Sequence, residues 1–223
     1  MAVTAVIAAA GSGERLGAGG PKAFVPLAGK PMVEWSIAAF RACDSVRSIL
    51  VAAPPGHEHG LVGDDLGVVA GGATRAQSVA NALSSVETEL VAIHDAARPL
   101  LTAQLVEELV ARLAAAPEAA GAIAAAPVTD TIKRAGGALV VESTVDRSCL
   151  WAAQTPQVFR AAALREALEV EAEVRDAATD EAMLVEAAGG RVLIQPAPAE
   201  NLKVTTPLDL QVAEMLLAER VNP

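Results

Sequence analysis

Val3-Thr4-Ala5-Val6-Ile7-Ala8-Ala9-Ala10-Gly11-Ser12-Gly13 decides how the chain folds. Val3 to Ala9 is a short apolar run that ends in glycines, the pattern of a buried strand running into a loop. Similar runs recur at Ser48 to Ala53, Leu90 to Ile93, Gly121 to Ala126 and Arg191 to Gln195. Helical patterns lie between them. Pro31 opens one that carries Met32, Val33, Ile37 and Phe40, and Thr102 is a candidate N-cap for a stripe of Leu105, Val106, Leu109, Val110 and Leu113. Thr179 precedes a further helix that stops at Gly189-Gly190, and Thr206-Pro207 opens the last, with Asp209 in its first turn. The alternation predicts an α/β chain: a doubly wound, mostly parallel, Rossmann-like sheet with helices on both faces. Such sheets bind ligands beyond the carboxyl ends of their strands, so the loops there are where chemistry is expected.

One stretch breaks the rhythm. From Pro127 to Pro156 no helical stripe is present, and a Gly136-Gly137 turn separates Thr131-Ile132-Lys133 from Leu139-Val140-Val141. The pattern predicts a β-hairpin arm over about 127–156, projecting from a single domain that spans 1–223. Exposed hairpin edges need cover, and a second copy of the chain is the simplest partner, so a homodimer through the arm is expected.

The bulk numbers exclude some functions. Of the 223 residues 52% are hydrophobic, many of them alanine, and only 2% aromatic, so the core is aliphatic. A formal net charge of −10 argues against nucleic acid as a partner, because such binders present basic faces to the phosphate backbone. No apolar run approaches the roughly 18 residues a membrane helix needs, and no basic segment precedes the first apolar stretch, so no membrane association or export is expected. Cys43 and Cys149 lack CxxC spacing and fit a reducing, cytoplasmic setting.

The loop Gly11-Ser12-Gly13-Glu14-Arg15-Leu16-Gly17 suits close approach of backbone to phosphate. No GxxxxGK[ST] occurs, and Leu16 breaks the GxGxxG spacing. The second strand ends Ala52-Ala53-Pro54-Pro55 without the acidic residue a dinucleotide ribose requires, which weakens a dinucleotide-dependent oxidoreductase as an alternative. Instead, Arg15 lies within the loop and Lys22 just after it, two cations where a triphosphate would lie.

With Pro21-Lys22, this loop resembles that of sugar-phosphate nucleotidyltransferases. A longer series narrows the branch: Gly71-Gly72-Ala73-Thr74-Arg75-Ala76-Gln77-Ser78-Val79, His94-Asp95-Ala96-Ala97-Arg98-Pro99, Ala126 to Lys133, Val145-Asp146-Arg147, Leu150 to Gln157, Thr179-Asp180-Glu181-Ala182 and Asn201-Leu202-Lys203-Val204-Thr205. Seven motifs in this order, from Val3 to about Leu216, resemble the 2-C-methyl-D-erythritol 4-phosphate cytidylyltransferase family. The resemblance implies transfer of CMP from CTP to 2-C-methyl-D-erythritol 4-phosphate with release of pyrophosphate, in the non-mevalonate route to isoprenoid precursors. A CDP-alditol-forming cytidylyltransferase, acting for instance on ribitol phosphate, is the nearer alternative. On matching positions, Ala9, Ala10, Gly11, Gly13, Gly72 and Ser78 would surround CTP, and Arg15 and Lys22 would hold its triphosphate. Asp95, Arg98, Thr131, Thr179 and Lys203 would hold the phosphorylated polyol, and Arg147 would reach across a dimer into the neighbouring site.

The chemistry makes the same demand without the name. Two polyanions must meet with an acceptor phosphate oxygen in line with the α-phosphorus, and cations must offset their repulsion. Arg15, Lys22 and Lys203 are the candidate catalytic cations, assisted by Mg²⁺ held by the triphosphate, with Asp95 as the one candidate protein ligand. No general base is needed, and His94 is read as structural.

Overall fold

The computed structural model of the chain describes residues 1–11, 13, 16, 20–57, 61 and 63–221. Its elements follow in chain order: β1 (Val3–Ala8), a 3₁₀ turn (Lys22–Phe24), β2 (Pro26–Leu27), β3 (Lys30–Pro31), α1 (Met32–Arg41), β4 (Val46–Ala53), β5 (Leu66–Ala70) and α2 (Arg75–Leu83). Then come β6 (Leu90–Asp95), α3 (Ala103–Ala114), β7 (Gly121–Pro127), β8 (Lys133–Ala135), β9 (Val141–Thr144) and β10 (Trp151–Arg160). The last are α4 (Ala161–Leu168), α5 (Ala172–Ala177), α6 (Glu181–Ala187), β11 (Val192–Pro196) and α7 (Pro207–Val221).

Seven strands form the main sheet in the order β11-β7-β10-β6-β1-β4-β5. β1 pairs in parallel with β4 and β6, β4 with β5, and β11 with β7, while β10 runs antiparallel between β6 and β7. The doubly wound, mostly parallel expectation therefore holds, with one antiparallel strand inside it.

Period-two alternation explains why β1 reads as a continuous apolar run. Ala5 and Ile7 pack with Val33, Ile37 and Phe40 of α1 and with Leu105 and Leu109 of α3. Val6 faces the other way, into a cluster with Val79 of α2, Leu164 of α4 and Leu184 of α6. Both faces of the strand are covered, so no position is left for a strongly polar side chain. The stripe Leu105, Val106, Leu109, Val110 and Leu113 is wholly buried, and each such side chain contributes roughly 1.5–3 kcal/mol relative to exposure.

Helix starts follow local chemistry. The Thr102 side chain accepts Leu105 N–H at the head of α3, as expected, and Thr74 does the same for Gln77 N–H at the head of α2. The cap of α6 is Asp180, one residue beyond Thr179, accepting Met183 N–H at 3.0 Å. At α7, Asp209 Oδ2 accepts Thr205 and Thr206 N–H, both at 2.8 Å, and Thr206 Oγ1 accepts Asp209 N–H in return.

Two strands of the main sheet are not legible in the sequence. β5 is a five-residue edge strand interrupted by Gly67. β10 begins at Trp151, inside the span expected for the arm, and its sequence carries Gln154, Thr155, Pro156 and Gln157. Proline cannot donate to a ladder, yet Pro156 is accommodated because the pairing with β7 is irregular between Ala153 and Gln157.

The hairpin is present, with β8 paired antiparallel to β9 and every residue of both strands exposed. Its strands are shorter than the apolar pattern implies. Leu139 and Val140 sit in the turn, Leu139 at φ +57°, and are 87% and 65% exposed.

Candidate active site

Four chain segments converge at the carboxyl end of the central strands and enclose a cavity of about 650 Å³. Residues 8–11 after β1, Gly72 to Arg75 at the start of α2, Asp95 to Ala97 after β6, and Lys203 with Thr205 line it, together with Gly13, Lys22 and Ser78. Every predicted CTP-binding residue that the structure describes thus borders one space. Arg15 lies outside the described residues.

The loop after β1 is shaped by glycine. Gly13 sits at φ +74°, and a Cβ there would come within 2.9 Å of Lys22 Cβ and 3.0 Å of Lys22 N. Lys22 N–H in turn donates to Gly11 O at 3.2 Å. A side chain at position 13 would force Lys22 and its backbone to shift.

At α2, Ser78 Oγ accepts Gly72 N–H at 2.9 Å and donates to Thr74 O at 3.0 Å, while Gln77 Oε1 accepts Ala73 N–H at 2.8 Å. Ser78 therefore holds the loop's shape with its hydroxyl already engaged in both directions. Gly72 has no room for a side chain, since a Cβ would meet Gln77 Cγ at 2.5 Å.

Asp95 is the electrostatic centre. Arg75 Nε donates to Oδ1 at 2.8 Å and Lys203 Nζ to Oδ2 at 2.6 Å. Burial by itself would raise the Asp95 pKa, but the charges and hydrogen bonds of Arg75 and Lys203 outweigh it and hold the carboxyl well below the usual carboxylate range. Lys203 is 44% exposed, so its bond to Asp95 is the more screened of the two. Arg75 Nη1 also donates to both carboxylate oxygens of Glu181 at 2.6 Å. Burial dominates at Glu181 and lifts its carboxyl above the ordinary value despite Arg75, whereas Arg75, flanked by two carboxylates, is raised against the effect of its own burial.

Behind this wall lies a neutral buried relay. His94 Nε2 faces Arg98 O at 3.2 Å, and a carbonyl only accepts, so Nε2 carries the proton. Nδ1 then accepts the Thr155 hydroxyl at 3.1 Å, and the same hydroxyl accepts Asp95 N–H at 3.0 Å. Burial pushes the imidazole down to about 3, and its ring stands edge-on to Phe40. His94 is structural, as its sequence context suggested.

Arg98 is set differently from the expectation. It is buried, does not line the cavity, and donates through Nη1 to Asn201 O at 2.7 Å. Asn201 Nδ2 donates to Gln154 Oε1 at 2.8 Å and Thr155 O at 2.9 Å, and Val204 N–H donates to Ala97 O at 2.8 Å. Arg98 and Asn201 together pin the segment that carries Lys203. Thr131 and Thr179 are both exposed and border no part of the cavity. Arg147, on the exposed segment between β9 and β10, donates to Thr129 O and also stands apart from it.

Arg75 and Glu181 are the residues that sequence reasoning left without a role. Arg75 carried a signal: it is the first residue of a helix, where the macrodipole disfavours a cation, so a tertiary partner has to stabilise it there. Among the described residues no group of three or more His, Cys, Asp or Glu side chains could hold a metal ion. No helix among them is long and apolar enough to cross a membrane.

Comparison with known proteins agrees with this geometry. The family model described as 2-C-methyl-D-erythritol 4-phosphate cytidylyltransferase matches residues 3–219. A relative of that name from Azoarcus sp. (strain BH72) is 41% identical over 230 residues, covering 98% of this chain and 95% of its own length. Another, from Symbiobacterium thermophilum, is 43% identical and covers 99% and 94%. The crystal structure of 2-C-methyl-D-erythritol 4-phosphate cytidylyltransferase from Thermus thermophilus shares 37% identity at a TM-score of 0.82, covering 98% of this chain and 100% of that one. Sequence, strand order and cavity point to one enzyme family, and this chain belongs to the 2-C-methyl-D-erythritol 4-phosphate cytidylyltransferases.

Proposed function

We propose that the chain transfers CMP from CTP to 2-C-methyl-D-erythritol 4-phosphate, releasing pyrophosphate, as a step of isoprenoid precursor biosynthesis. The observation that carries the reading is the meeting of Lys22, Lys203 and Asp95 with the glycine loop at one cavity, although they lie far apart in sequence. An oxygen of the acceptor phosphate attacks the α-phosphorus, a new P–O bond forms, and the bond to the β-phosphate oxygen breaks. The acceptor phosphate has its second pKa near ~6 and is already largely ionised at neutral pH, so no base is needed.

Lys22 and Lys203 oppose the negative charge that builds on the α-phosphate and on departing pyrophosphate. Arg15 is assigned the same work from its place in the loop sequence. Ala9, Ala10, Gly11, Gly13 and Gly72 provide backbone against the nucleotide, and Ser78 keeps that backbone in shape. Asp95 and Lys203 receive the polyol phosphate; Thr131 and Thr179, which border no part of the cavity, are assigned further contacts from the family resemblance alone.

Among the described residues the protein side of a magnesium site is sparse, since Asp95 is the carboxylate that lines the cavity there and both its oxygens already accept cationic donors. That fits an ion carried into the site by triphosphate oxygens. When bound, Mg²⁺ would neutralise phosphate charge. Homodimerisation through the arm belongs to the same reading, with Arg147 reaching a neighbour's site; the exposed Leu139, Val140 and Val141 support it. Cytoplasmic residence is proposed from the cysteine usage.

Pyrophosphate release measured with CTP, ATP, GTP and UTP, using 2-C-methyl-D-erythritol 4-phosphate and ribitol phosphate as acceptors, tests the reading. Turnover confined to CTP with the methylerythritol acceptor is expected. A preference for ribitol phosphate would overturn it.

A further inference from the structure

Glu181 does not line the cavity, yet the fold holds it in place from two sides. It is 1% exposed, a burial that strongly disfavours an unpaired carboxylate, and Arg75 offsets it with hydrogen bonds. The residue before it, Asp180, caps α6 through Oδ1 and accepts Gln157 Nε2 of β10 at 2.8 Å through Oδ2. The Glu181 carboxylate is thereby fixed from the main-chain side, independently of Arg75.

Arg75 depends on it in turn. Nη2 is buried without a hydrogen-bond partner, so Glu181 and Asp95 are the two groups that orient the guanidinium. Rotation of the guanidinium would swing Nε away from Asp95 and leave that carboxylate to the half-exposed Lys203 alone. Arg75 also opens α2, directly after the Gly72 to Thr74 loop at the nucleotide side of the cavity.

We propose that Glu181 is a positioning residue which, by locking the Arg75 guanidinium, holds the Asp95 carboxylate in the orientation that receives the hydroxyls of the phosphorylated polyol. This rests on the reading of Asp95 as an acceptor ligand.

The sign of the effect separates positioning from charge. Glu181→Gln removes a negative charge near two anionic substrates, so Coulomb's law alone would lower the KM for the acceptor. Loss of positioning raises it. Arg75→Lys leaves the charge unchanged but replaces the fork that spans both carboxylates with a single ammonium.

The test measures KM for 2-C-methyl-D-erythritol 4-phosphate and for CTP, with melting temperature, in Glu181→Gln, Arg75→Lys, the double variant and Asp95→Asn. Each single variant at 181 and 75 is expected to raise the acceptor KM roughly tenfold, about what one charge-assisted hydrogen bond contributes, and to leave the CTP KM within about twofold. The double variant should be no worse than the worse single one, since both break one link. Should Glu181→Gln not fold, Arg75→Lys carries the same expectation alone. An acceptor KM that is unchanged or lowered in these variants while Asp95→Asn raises it defeats the positioning inference. Equal rises in both KM values, or additive effects in the double variant, defeat it as well. An acceptor KM indifferent to Asp95→Asn defeats the reading of Asp95 itself, and the inference with it.

Discussion

Lys203 Nζ donates to Asp95 Oδ2 at 2.6 Å, joining residues 108 positions apart at the rim of the sheet. Lys203 is thus held ready at the cavity by the same carboxylate that is proposed to bind the acceptor. Lys203→Met is expected to lower kcat about 100- to 1,000-fold, the usual cost of removing one preorganised donor from a developing anion. Asp95 keeps its bond to Arg75 and the exposed ammonium contributes little to folding, so denaturant unfolding should shift by no more than about 1 kcal/mol. A large loss of stability with turnover intact would place Lys203 in the structure and outside the chemistry.

Gly13→Ala tests whether the glycine loop serves the cations. The positive φ and the 2.9 Å approach to Lys22 Cβ mean that an alanine must displace Lys22. Turnover should fall at least about tenfold, approaching the loss in Lys22→Ala, while the melting temperature hardly moves because the loop contributes little to the core. Stopped turnover in Lys22→Ala with normal turnover in Gly13→Ala would separate the two residues.

His94 sets a pH dependence of stability. Its folded-state pKa is depressed to about 3, so below the unfolded value of about 6.5 the unfolded chain binds a proton that the folded chain does not. Stability from this source is present above pH ~6.5 and lost as pH falls towards 3, amounting to about 2 kcal/mol by pH ~5. Asp95, whose pKa is also depressed, acts in the same direction but only below the ordinary carboxylate value. Glu181, raised by burial, acts in the opposite sense, gaining stability as pH falls. Comparing wild type with His94→Gln by denaturant unfolding at pH ~7, ~6 and ~5 isolates the His94 contribution. The variant should show the shallower slope, and parallel slopes would refute the assignment.

The arm predicts a concentration-dependent assembly. Leu139→Asp with Val140→Asp should convert a dimer to a monomer in sedimentation velocity and raise the acceptor KM, with the CTP KM nearly preserved. A wild-type chain that sediments as a monomer at all concentrations would remove the proposed role of Arg147 in a neighbour's site.

How far the site was legible can be argued from particular residues. Gly11, Gly13, Lys22 and Asp95 were readable because local chemistry marks them: glycines at a strand end, a cation beside them, an acid where β6 stops; Gly72 and Lys203 came only with the family resemblance. Arg98 reads locally as one more phosphate-seeking cation after Asp95. Its burial against Asn201 O depends on a segment 103 residues away, and no local pattern encodes that. Glu181 reads as a surface residue in the first turn of a helix, and only the approach of Arg75 across the cavity wall makes it part of the site.

The sequence by itself determined the strand–helix alternation, the two-sided burial of β1, the caps at Thr102 and Thr206, and the family, because hydrophobic period, capping chemistry and motif order are properties of neighbouring residues. Only the tertiary structure decided that β10 enters the sheet antiparallel despite Pro156, and that Arg75 bridges Asp95 and Glu181 in one buried network. The reason is physical: ladder pairing and ion pairing are satisfied between groups distant along the chain, so their outcome depends on which segments the packed sheet brings within hydrogen-bonding distance.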